Sequence, residues 1–273
     1  MSASVEPIKL IADDPAAIAA ELKSAYETAT GRTVYPGQAE QLLIDICAYR
    51  ESLCRAAINE AARQNLVAFA RAPMLDYLGE LVGVVRLPGE GDERLRERIR
   101  LAPEHFSVAG PRLAYRYHAM TADASITDVA VRSPEPGLVV LHPLTASGLP
   151  SADIKARVLA AASAEDVRPL CDEVSVQDPV DFPYAVEAVV TPYGWADRES
   201  VRAAAEAAVS AFCATKSARL GQDITRSALI AALHVQGVKR VVLHQPSVDI
   251  TVDVHHWTNA TSITVTATEP EDE

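Results

Sequence analysis

Between Tyr35 and Pro73 the chain has prolines only at its two ends, and Gly37 is the single glycine. This is the profile of one long helix, because proline suits a first helical turn and cannot continue a helix that has begun. The pattern predicts a helix from about Gly37 to about Arg71, roughly 50 Å long at a rise of about 1.5 Å per residue. At 100° per residue, Leu42, Leu43, Ile46, Cys47, Tyr49, Leu53, Cys54, Ala57, Ile58 and Ala61 share one broad arc. Gln41, Asp45, Glu51, Ser52, Arg55, Asn59 and Arg63 fall opposite and are expected to be wet. An apolar stripe this long needs a cover. Arg50, Glu60 and Gln64 sit inside the apolar arc, where a buried charge must be paired. They either lie at its margin, snorkel or pair within the chain, or they pair across a subunit boundary and set its register. The second reading makes Arg50 and Glu60, with Leu42, Ile46, Leu53 and Ile58, the candidate subunit interface.

Around this helix the periodicity changes in an ordered way. An extended N-terminal arm leads to Asp14-Pro15, a cap followed by a first-turn proline, and to a helix with Ile18, Leu22, Ala25, Tyr26 and Ala29 on one face. Gly31 is placed to stop it. Met74 to Val82 reads as a short amphipathic turn pair through Leu75, Leu78 and Leu81, and Pro88-Gly89-Glu90-Gly91 as a loop between domains. Glu93 to Leu101 predicts a helix with Leu95 and Ile99 inside, a solvated run of arginines and glutamates outside, and an end at Pro103. Another helix starts at Ala109-Gly110-Pro111 and runs to about Ala122. Ile126 to Val131 and Leu138 to Leu141 then form a hairpin. Beyond the small-residue linker Thr145 to Pro150, Ser151 caps a helix. Strands follow at Glu173 to Gln177 and at the alternating Tyr184 to Thr191. Helices capped by Asp197 and Thr225, a strand from Val238 to Leu243, edge strands at Ile250 to Val254 and Ile263 to Ala267, and an acidic tail complete the chain.

The predicted class is therefore α+β: an N-terminal long-helix bundle segment (1–84), a helix-plus-hairpin central module (85–148) and a C-terminal α+β module (149–273). The two modules are expected to carry mainly antiparallel sheets, with helices packed on one face of the second.

Composition narrows the function. The 273 residues are 49% hydrophobic and 23% charged, enough to bury a real core. No run of about 18 apolar residues is present to cross a bilayer, and Met1 to Lys9 lacks the order of a signal peptide, so no membrane partner is expected and the cytoplasm of the producing cell is the default location. A net charge of −12 argues against nucleic acid, whose binding rests on neutralising phosphates. Cys47, Cys54, Cys171 and Cys213 are scattered in apolar surroundings and read as structural thiols.

Candidate chemistry is sparse. No nucleophile elbow, phosphate loop, dinucleotide fingerprint or zinc-protease motif occurs. His255-His256, with His244 and Asp253 nearby, is the one cluster to weigh as a metal site, but neighbours on a strand point to opposite faces, so no metal and no cofactor is expected. Asp45 with Glu51 and Glu93 with Glu97 are ordinary solvated acids, and Tyr115, Tyr117 and His118 read as core packing rather than a stacking platform. No catalytic residue is expected. The competing class is a small-molecule-binding or regulatory enzyme with a pocket near Tyr193, Trp195 and Trp257.

Several segments, taken in order, resemble the baseplate assembly protein J family of contractile phage tails and related injection particles. They are Tyr35-Pro36-Gly37-Gln38 with the long helix, Leu75-Asp76-Tyr77-Leu78-Gly79, Asp92 to Ile99, Ser107-Val108-Ala109-Gly110-Pro111 with Tyr115, Asp128 to Val131, and Pro136 to Val139. Arg168-Pro169-Leu170, Leu220 to Ile224, and Gly237-Val238 with Pro246 follow. The resemblance implies a structural wedge component without catalytic residues, located in the virion tail baseplate and assembled in the host bacterial cytoplasm. The partners it implies are other wedge subunits, namely a tail protein I-like chain and a lysozyme-like wedge protein W, a second copy of the chain, and the hub and spike nearby.

Overall fold

The structure is a computed structural model that describes residues 9–105, 111–165 and 167–272. The start of the predicted arm, the Ser107 to Gly110 segment and the last residue of the tail lie outside the described residues. The architecture is mixed α+β, with two small three-stranded sheets, and the chain divides into two compact units.

The first unit holds residues 1–86 and 91–99. Helix α1 (Pro15–Thr30) begins where the Asp14 carboxylate accepts a hydrogen bond from the Ala16 N–H, and ends at Gly31 in the left-handed conformation (φ 65°). It packs along α2 (Ala39–Gln64). Helix α2 has 26 residues, so its length is about 39 Å rather than 50 Å. From Asn65 the chain turns instead of continuing, because other groups take over the backbone's hydrogen bonds. The Asn65 amide donates to the Ala61 carbonyl, the Gln64 side chain accepts from the Arg71 N–H, and Arg96 donates to the Val67 and Ala70 carbonyls at 2.6 Å each. Arg96 stands on α4 (Asp92–His105), which follows α3 (Met74–Glu80) and carries Pro103 within it rather than ending there. Leu95 and Ile99 are buried as expected, but so are Arg96 and Arg98, so the charge run is not simply a solvated face. Arg86 closes this region, bonded to Asp76 at 2.6 Å and to Asp92 at 2.8 Å.

The second unit holds residues 87–90 and 100–273. Its first layer is α5 (Arg112–Ala122), β1 (Ile126–Arg132), β2 (Leu138–Thr145), α6 (Ala152–Ala162) and β3 (Glu173–Val176). Strand β2 is central, antiparallel to β1 and parallel to β3. Tyr115, Met120, Ile126, Leu141, Val158 and Ala162 fill one core, so α6 and β3, which the sequence reading grouped with the C-terminal module, complete the central sheet.

The second layer is β4 (Val180–Pro192), α7 (Arg198–Ser217), α8 (Arg226–Leu233), β5 (Val238–Gln245) and β6 (His256–Ala267), with strand order β5-β4-β6. β4 runs antiparallel to β5 and parallel to β6. Tyr184, Val186, Ala188 and Val190 alternate into the core, where they meet Val201, Ala205, Val209 and Cys213, spaced four apart along α7. The predicted strand at Ile250 to Val254 is only an isolated bridge between Ile250 and Ile224, and β6, one of the two edges of this sheet, begins seven positions before the predicted Ile263. Asp128 on β1 ties the two layers: its carboxylate accepts from the Leu220 N–H at 2.8 Å while bonded to Arg116 at 2.8 Å.

Candidate subunit interface

The long helix turns the opposite way from its pattern. Ile44, Ala48, Ser52 and Asn59 are the residues of α2 that are buried, and two of these four belong to the face expected to be wet. The reason lies in what covers that face. The N-terminal arm presents backbone groups that require partners, and polar side chains of α2 supply them. The Asn59 amide oxygen accepts from the Leu10 and Ile11 N–H groups at 2.9 and 3.1 Å, and its nitrogen donates to the Ile11 carbonyl at 2.9 Å. Arg55 donates to the Ala12 carbonyl at 3.0 Å.

The apolar arc is left outward. Leu42, Leu43, Ile46, Tyr49, Leu53 and Ile58 are between 45% and 62% exposed, an unbroken row along more than four turns. Isolated exposed apolar residues are ordinary, whereas a row of them along one helix is less common on a single chain. Its N-terminal end opens into a groove of about 410 Å³ walled by Leu22 and Tyr26 of α1 and by Leu43, Ile44 and Cys47 of α2, with Glu40 at the rim. Leu22 and Tyr26 belong to the apolar face expected of α1. Their spacing of four was the available sign, but periodicity does not tell which neighbour a helix face meets.

Arg50 and Glu60, both inside the arc, are exposed and are not brought together. Glu60 accepts from the Gln64 amide at 2.6 Å and lies 3.6 Å from Arg63, whereas Arg50 makes no ion pair among the described residues. Cys47 and Cys54 share the outward face and are exposed, as is Cys171, so only Cys213 is the buried thiol expected of all four.

The alternative ligand pocket does not form. Tyr193 and Trp195 stack with centroids 5.9 Å apart, but Trp257 pairs in register with Asp181 near the opposite end of β4, on the order of 35 Å away at a strand rise of about 3.3 Å per residue. There its indole N–H donates to the Ser217 carbonyl at 2.8 Å. Tyr115 and Tyr117 are core residues, as expected. The Tyr115 hydroxyl donates to Asp172 at 2.8 Å, and burial together with that carboxylate pushes its ionisation well above the usual phenol range.

Three domain families match in sequence order: Baseplate J-like N-terminal domain over residues 41–88, the Baseplate J-like central domain over 107–178 and the Baseplate J-like C-terminal domain over 184–266. Among solved structures, the cryo-EM structure of the anti-feeding prophage baseplate, six-fold symmetrised, is similar with a TM-score of 0.45 and 17% identity. That likeness covers 65% of this chain, which spans 43% of the other. Baseplate protein J of Escherichia phage P2 is 39% identical over 228 residues, which is 77% of this chain and 75% of the phage protein. With that identity over three quarters of both chains, and the three domains in the same order, the protein belongs to the baseplate J-like family.

Proposed function

We propose that this baseplate protein is a structural wedge component of a contractile phage tail or phage-like injection particle, and not an enzyme. Its helical N-terminal segment bundles with other wedge subunits, a tail protein I-like chain and a lysozyme-like wedge protein among them, and with a second copy of itself. The two sheet modules, divided near residue 178, join neighbouring wedges into the ring around the hub. It works in the virion tail baseplate and is assembled in the host bacterial cytoplasm. The observation that carries this reading is the outward apolar face of α2, which is left available to a helix from another chain while Asn59 and Arg55 on the opposite face engage the arm. Similarity to a phage protein named for the baseplate supports the setting.

The experiment is assembly with co-expressed wedge partners, compared with the chain alone. Alone, the protein is expected to self-associate through the exposed row. A well-behaved monomer with full hydrogen-exchange protection over Leu42 to Ile58 is the contrary result.

Arg50 gives a finer test. If its guanidinium meets an acid of a partner subunit in a desolvated contact, Arg50→Ala costs about 3 kcal/mol of association, whereas a solvated arginine costs about 0.5 kcal/mol or less. Glu60→Ala is expected to behave similarly, with a smaller loss because Gln64 and Arg63 already engage the carboxylate. Assembly at the unaltered level by both variants rejects these two residues as determinants of the contact, while leaving the apolar row to be tested separately.

A further inference from the structure

The turn leading into β6 brings together donors that strand alternation would separate. β6 begins at His256, so His255 belongs to the turn, and the rule that adjacent residues point to opposite faces does not hold there. The two imidazole rings lie 4.5 Å apart, and Asp253, His255 and His256 each offer a ligand atom within 4.8 Å of the other two. Their backbone is pinned by three hydrogen bonds. The His256 N–H donates to the Asp253 carbonyl at 3.0 Å, the Val180 N–H to the His255 carbonyl at 3.1 Å, and the Gly221 N–H to the His256 carbonyl at 2.9 Å. The donor set is thus largely in place before any ligand arrives.

The ring nitrogens carry the second observation. His255 is 8% exposed, and the Nδ1 atoms of both His255 and His256 are buried without a hydrogen-bond partner. His142 of β2, 2% exposed, stands behind them with its ring 5.1 Å from that of His255. Its Nδ1 lies 3.1 Å from the Asp178 carbonyl, which can only accept, so Nδ1 bears the proton and the buried Nε2 is a bare lone pair. Buried polar atoms are normally paired, and each orphan costs free energy. Neutral imidazole is the form that binds metal. On the solvent side, a cavity of about 300 Å³ lined by Phe182, Thr251, Val252, Asp253 and His256 leaves room for an ion and its waters to reach the cluster.

We propose that Asp253, His255 and His256 form a site for a divalent first-row transition ion of the zinc class, with water from the adjacent cavity completing its coordination. Two imidazoles and a carboxylate suit such an ion, whereas magnesium and calcium prefer all-oxygen sites. His142 is not one of the ligands: its ring packs behind that of His255. The bound ion locks the turn from which β6 departs.

The test is titration of the purified, metal-stripped full chain with zinc chloride alone, followed by calorimetry and by thermal melting. One equivalent is expected to bind and to raise the melting temperature, and magnesium is expected to do neither. Asp253→Asn and His256→Ala alter residues that are not fully buried, so the metal-free fold should persist while zinc affinity falls about tenfold or more. Cobalt absorption separates this site from the exposed Cys47, Cys54 and Cys171, because nitrogen and oxygen ligands lack the intense thiolate charge-transfer band. The proposal is overturned by a wild-type chain that takes up no zinc, by unchanged affinity in both variants, or by a thiolate-type cobalt spectrum.

Discussion

A chain carrying Ile46→Asp and Leu53→Asp together is expected to fold and melt like the parent, yet to fail to assemble with its baseplate partners. Both side chains are about half exposed in the single chain, so the isolated protein loses little by the change beyond a few tenths of a kcal/mol of helix propensity per site. In a helical bundle the account is different. Full burial of an Ile or Leu contributes about 1.5–3 kcal/mol and association covers only the half still exposed, so the pair removes on the order of 1.5–3 kcal/mol, before the cost of desolvating two carboxylates is added. That corresponds to a loss of at least about tenfold in association, and more once the two carboxylates must be desolvated. Co-purification with the wedge partners reads the assembly, and circular dichroism of the variant alone reads the fold. Parental assembly by a folded double variant would remove the apolar row from the proposed contact.

The second large effect is on stability. Arg96→Ala is expected to cost the first unit about 3–5 kcal/mol, because it strips a buried guanidinium from the Val67 and Ala70 carbonyls and leaves Ala70, itself fully buried, without that donor. For a unit of this size the corresponding fall in melting temperature is on the order of 10 °C or more. Arg96→Lys is expected to recover only part of it, since one ammonium cannot reproduce a planar fork aimed at two carbonyls. Hydrogen exchange of the segment after Asn65 locates the effect: it should rise there first. An unchanged melt for Arg96→Ala would mean that water satisfies the two carbonyls equally well.

These two results probe features that differed sharply in how far they could be read in advance. The apolar row of α2 was legible, since a 3.6-residue period and a proline-free stretch need only local geometry. The caps at Asp14, Ser151 and Asp197 were legible for the same reason, as their carboxylate or hydroxyl oxygens accept from backbone N–H groups two or three residues away. Arg96 was not legible. Its alternation with glutamates looks like a solvated helix face, and nothing local tells that a turn 26 to 29 residues earlier would present bare carbonyls to it. The parallel pairing of β4 with β6 was equally hidden, because two helices and a strand separate the partners in the chain.

Residue type at fixed short spacing was enough to read most of the helices and strands, the α+β class and the amphipathic character of α2 from the sequence, while the family was carried by the resemblance of ordered segments. Only the tertiary structure decided which face of α2 stays outside. Apolar residues are drawn inward by default, but the arm brought backbone groups in need of partners, and Asn59 and Arg55 could satisfy them where leucines could not. The tertiary structure likewise decided that His255 and His256 lie side by side, since β6 begins at His256 and leaves His255 in the turn, where strand alternation does not separate the rings.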